Sequence, residues 1–163
     1  MRASRKLLVI GSLALAVWGM GYGIYYAVFS EHQTLDNLSS SLSTGFVRAA
    51  QRRMPDSQAA LADAARQSYA YVREVDAHGH WVGLALLLLI LGIGFDRVAF
   101  DERVRVSIAL ALLAGSILFP LSVLLEIANR GPTPKLLAVV GSALVIFGLC
   151  GTAWGFARSR SSR

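Results

Sequence analysis

Residues 77–95 read Ala-His-Gly-His-Trp-Val-Gly-Leu-Ala-Leu-Leu-Leu-Leu-Ile-Leu-Gly-Ile-Gly-Phe, and their length decides whether the chain crosses a membrane three times or four. The part after the histidines, residues 81–95, has 15 residues and as a helix reaches only about 22 Å, short of a hydrocarbon core of roughly 30 Å. Adding residues 77–80 supplies the missing length. It also places His78 and His80 at the membrane boundary rather than in open water. Three other stretches need no such help: residues 7–29, 106–125 and 136–157 carry no charge over 23, 20 and 22 positions. The expectation is an all-α, four-helix transmembrane bundle in contact with lipid.

Composition agrees. With 55% hydrophobic and 16% charged residues the chain is too apolar for an ordinary soluble domain of 163 residues. The single cysteine, Cys150, excludes an internal disulfide framework and a cysteine-rich cluster. The N-terminal run is longer than the 7 to 15 apolar residues of a secretory signal and has no small-x-small cleavage pattern, so it is expected to stay as an anchor.

The placement of Lys and Arg sets the orientation. With the N-terminus inside, nine cations fall in about 22 cytoplasmic residues and seven are spread over about 57 outer ones. The outer segments also hold seven acids, so the formal charge of +6 lies wholly on the inner face. Anionic lipid accounts for that basicity, and nucleic acid is not expected as a partner. The resulting map has the start and first span in residues 1–29, an outer region at 30–76, the second span at 77–95 and an inner loop at 96–105. The third span follows at 106–125, an outer loop at 126–135, the fourth span at 136–157 and an inner tail at 158–163. Both termini are cytoplasmic, and the expected location is the bacterial inner membrane.

The outer region is too long for a turn and reads as an extracytoplasmic helical hairpin between spans one and two. Leu35, Leu38, Leu42, Phe46 and Ala49 recur at three- and four-residue steps on one helix face that ends near Arg53. Met54-Pro55-Asp56 breaks the chain. Pro55 suits a first helical turn, and nothing after it stops a helix that runs through Tyr71 and Val75 into the second span. Gly19 with Gly23 and Gly151 with Gly155 form two pairs four residues apart, which suit close helix contacts within the bundle or a homo-oligomer. Pro120 is expected to kink the third span.

All three histidines, His32, His78 and His80, fall on the outer side in this topology, and Glu126 closes the third span at the same level. Neutral imidazoles with a carboxylate suit zinc or copper, so these four residues are candidate metal ligands. Glu74 and Asp76, each one helical turn before a histidine, are candidates to accept the other ring proton. On an unbroken helix His78 and His80 point about 200° apart, and bringing them onto one ion requires the helix to end or loosen at Gly79 between them. The competing reading is plain: polar residues gather at helix ends because water and headgroups are there, with Trp81 as an interfacial anchor. No nucleophile elbow, phosphate-cradling loop or paired intramembrane carboxylate is visible, and a non-catalytic role is expected.

At His78-Gly-His80-Trp-Val-Gly83 the chain resembles a group of small bacterial four-span proteins related to subunit I of haem-copper oxidases, in which a His-x-His pair opens the second span. Gly19-Met-Gly-Tyr-Gly-Ile-Tyr, Phe119-Pro120-Leu121 and Leu137-Ala-Val-Val-Gly-Ser-Ala-Leu-Val-Ile-Phe-Gly148 are similar in placement and character. The resemblance implies a role in respiratory or nitric-oxide metabolism, with haem or copper held by His78 and His80. The third span carries no histidine, so the oxygen-reducing centre of an oxidase is not expected. Two functions follow. One is an accessory, metal- or haem-associated component of a respiratory membrane system. The other is a scaffold whose outer hairpin docks another membrane or periplasmic protein.

Overall fold

The computed structural model describes residues 2–129 and 131–160, the side chain of Arg160 excepted, and is helical from end to end with no strand among them. Helix α1 spans Ala3–Tyr25 and passes through one π-helical turn, Tyr26–Ser30, directly into α2, Glu31–Ala50. A tight reversal at residues 51–53 follows, with Arg52 at φ 59°, and α3 then runs unbroken over Met54–Gly94. A 3₁₀ turn, Phe95–Arg97, leads to α4, Glu102–Ala128, and α5 covers Pro132–Arg160. Pro55 sits in the first turn of α3, where its missing N–H costs nothing.

Four helices are long and apolar enough to cross a membrane: the continuous Ala3–Ala50, Met54–Arg97, Glu102–Ala128 and Pro132–Ser159. The first two greatly exceed the thickness they need. The 41 residues of α3 extend about 60 Å, roughly twice a hydrocarbon core. They run antiparallel as a pair, with Tyr26 beside Tyr71, Ser41 beside Gln67 and Gly45 beside Ser57 and Leu61.

The π turn explains how one helix keeps a single contact line over this length. Buried or half-buried residues of α1 recur at Leu8, Ser12, Leu15, Gly19 and Tyr22, and those of α2 at Thr34, Leu38, Ser41 and Gly45. Between them the line advances through Tyr26 and Ser30 in steps of four. An α-helix drifts sideways under such steps, and a π turn, wider by about one residue, absorbs the drift.

Two clusters hold the bundle. Toward the chain's start, Leu8, Leu88, Phe95, Val98, Ala109 and Leu112 pack together; farther out, Leu15, Ala77, Trp81, Ala85 and Val123 do so. Helix α5 lies against α4, where Gly115 and Gly141 bring the backbones into contact. A Cβ on Gly141 would stand 2.6 Å from the Phe119 backbone nitrogen, and one on Gly115 2.6 Å from the Gly141 carbonyl oxygen. Small hydroxyls are buried at these crossings. Ser12 and Thr152 donate back to Val9 and Gly148 carbonyls of their own helices, so these two hydroxyls need no partner on the neighbouring helix. Helix α4 stays helical through Pro120.

A polar latch closes the end of the bundle where α1 begins. The Glu102 carboxylate accepts the Ser4 backbone N–H at 2.7 Å, so an acid 98 residues away in sequence caps the first turn of α1. The Glu102 carboxylate also pairs at 2.8 Å with Arg105, which is only 4% exposed, and Arg5 pairs with Asp96 at 3.0 Å.

Candidate functional site at the crossing of α1 and α3

The residues of interest lie where α1 crosses α3. Gly19 and Gly23 permit that crossing: a Cβ on Gly19 would meet the Trp81 Cβ at 2.9 Å, and one on Gly23 would stand 2.6 Å from the His78 Nδ1. The imidazole of His78 therefore occupies the space a side chain at Gly23 would take. Its Nδ1 lies 2.9 Å from the Gly19 carbonyl oxygen, which can only accept, so the ring nitrogen donates there. The Trp81 indole fills the next turn, edge-on to Trp18 at 6.0 Å and to Tyr22 at 5.3 Å.

Helix α3 is unbroken at Gly79, so His78 and His80 keep opposite bearings. His80 turns to α4, its ring centroid 4.8 Å from that of Phe119. Glu126 lies seven residues beyond Phe119, about 10 Å farther along α4. There its Oε2 accepts the Tyr69 hydroxyl at 3.0 Å and pairs with Arg73 Nε at 3.4 Å. His32 stands farther out, its side chain 89% exposed and 3.6 Å from Asp36. Among the described residues no three His, Cys, Asp or Glu side chains gather so as to hold a metal ion.

The acids expected to orient the histidines have other surroundings. Asp76 pairs with Arg73 at 3.6 Å. Arg73 lies 5.1 Å from the Tyr69 ring centroid; the Tyr69 hydrogen bond and the nearby Glu126 and Asp76 carboxylates favour its charged form over the cost of burial. Glu74 is half-buried, and burial pushes its carboxyl above the ordinary range. Of the two His78 ring nitrogens, Nδ1 is engaged by the Gly19 carbonyl.

No protein-family model, curated protein or solved structure matches this chain.

That geometry describes a well-tied helix crossing. The second glycine pair is likewise used inside the chain, Gly151 facing Ile108 and Gly155 facing Val98 and Phe100. The cluster of Tyr69, Arg73, Asp76 and Glu126, which fastens the outward part of α3 to the end of α4, was not singled out from the sequence. Its signal was there: Tyr69, Arg73 and Asp76 are four and three residues apart and so share one face of α3.

What the site leaves open lies beyond it. On α2, Leu38 and Ala49 turn partly toward α3, but Leu35, Leu42 and Phe46 stand on its flank, with Phe46 70% exposed. On α3, Met54, Leu61, Val72 and Val75 are exposed along one flank as well. Because the two helices are antiparallel, helical periodicity opens both flanks on the same side of the pair.

Proposed function

We propose that the protein is a multi-pass protein of the bacterial inner membrane, with cytoplasmic termini, whose outer α2–α3 hairpin docks a partner protein. Insertion is supported by the outward faces of the four long helices, which display Ile10, Val17, Ile90, Leu110, Phe147 and Trp154 to their surroundings. Water would leave such a surface uncovered, and lipid would not. The asymmetry of Lys and Arg supports the orientation.

The observation that carries the docking function is the shared apolar flank of Leu35, Leu42 and Phe46 with Met54 and Leu61, in the half of the helix pair that extends past a hydrocarbon core. A flank of this kind outside lipid is the usual mark of a protein interface. The respiratory metal or haem role has less support, since His32, His78, His80 and Glu126 each engage a different neighbour.

A photo-crosslinking amino acid at position 46, activated in native membranes, should give one discrete adduct. That adduct should vanish when Leu35 and Leu42 are changed to Ser and persist when His78 and His80 are changed to Gln. An adduct lost on the histidine changes and kept on the leucine changes would reverse the assignment.

A further inference from the structure

Between α1, α3 and α4 runs a sideways-open groove of about 420 Å³ whose walls include Ala14, Leu15, Trp18, Trp81, Ile117 and Leu121. We infer that this groove holds one acyl chain of a membrane lipid, a conclusion that rests on the membrane reading above. The walls are aliphatic and aromatic throughout, and the volume is that of a small-molecule site. Gly11 and Leu113 mark the deep end; Trp18, Trp81 and Leu121 mark the end nearer the outer boundary. From Gly11 to Trp18 is seven residues, so the groove is about 10 Å long and parallel to the helices, as lipid chains are.

An occupant entering from the bilayer side must be apolar along that length. A helix from a second copy does not fit, because its diameter of about 10–12 Å exceeds what this volume admits over 10 Å. A lipid chain is slender enough and is the bulk component of the phase onto which the groove opens. Its ester end would lie near Trp18 and Trp81, at the end of the groove nearer the outer boundary.

The three tryptophans make the test direct. Trp18 and Trp81 line the groove, and Trp154 stands on α5, 64% exposed. Two single-tryptophan proteins, one keeping Trp81 and one keeping Trp154, are placed in phosphatidylcholine vesicles with plain or mid-chain-brominated acyl groups. Trp81, only 2% exposed, should lose most of its emission in brominated vesicles. Filling the groove by Ala14→Phe, or from the other wall by Ile117→Phe, should restore it. If Trp81 emission is equal in both vesicles while Trp154 is quenched, the protein is inserted and the groove is closed to lipid, which overturns the proposal. Quenching of Trp81 that survives both filling variants also overturns it, because bromine would then act from the surrounding bilayer. If Trp154 too is unquenched, the membrane reading itself fails and the proposal falls with it.

Discussion

Gly23→Ala tests the helix crossing at its tightest point. A methyl group there would lie 2.6 Å from His78 Nδ1 and 3.0 Å from Nε2, closer than carbon and nitrogen atoms approach without bonding. The ring must move, and its bond to the Gly19 carbonyl, 2.9 Å long, goes with it. Overpacking of this kind costs about 1–3 kcal/mol and the lost hydrogen bond about 1 kcal/mol. Replacing a helical glycine by alanine returns about 0.5–1 kcal/mol, so the net loss is about 1–3 kcal/mol. Gly21→Ala is the internal control, since nothing lies within 4 Å of a Cβ at Gly21, and it should show the propensity gain alone. Denaturant unfolding in mild detergent then separates the two variants by about 2–4 kcal/mol. Adding His78→Ala to Gly23→Ala should recover part of the loss, with a coupling on the order of 1 kcal/mol. Equal stability of the Gly23 and Gly21 variants would refute the contact between His78 and α1.

Gly141→Ala should destabilise more than Gly23→Ala in the same unfolding assay, because its Cβ meets the Phe119 backbone rather than a side chain that can swing away. Stability against pH should carry two opposed contributions. Glu102, held below the ordinary carboxylate range by the Ser4 N–H, contributes stability above its unfolded pKa that is lost as pH falls through its folded one; Glu102→Gln should flatten the acid limb. Glu74, raised by burial, works the other way, its ionisation weakening the fold as pH rises from the ordinary carboxylate range to the raised value. Glu74→Gln should thus be neutral or stabilising at pH 7 by the same unfolding measurement. Phe46→Ser should leave unfolding unchanged within about 0.5 kcal/mol, since the side chain is largely exposed.

The four apolar helices were legible because hydrocarbon thickness imposes a length that can be counted, and the start of α3 at Met54-Pro55 was legible because proline suits a first helical turn, while the reversal itself lies just before it, at residues 51–53. The continuity of α3 from Pro55 into the apolar stretch was legible too, but that of α1 with α2 was not. His32, His78, His80 and Glu126 are spread along the helix axes and around their faces, each against a different neighbour. Ile10 and Leu8 show the remaining ambiguity. Both are apolar and two positions apart, yet Leu8 is fully buried and Ile10 is 65% exposed, and in a helix apolar all round no polarity pattern tells the packed side from the exposed side. Small residues carried that information instead. Gly19, Gly23, Gly115 and Gly141 mark the true crossings, and the π turn at Tyr26–Ser30 keeps the contact line of α1 in register with that of α2. Removing one residue from that turn should restore α-helical geometry and leave α2 on its present bearing, because a π turn takes about one residue more than an α turn to wind the same angle. Leu35, Leu42 and Phe46 would keep their flank, so the crosslinked adduct at Phe46 should survive that single deletion, and its loss would refute this account of the π turn.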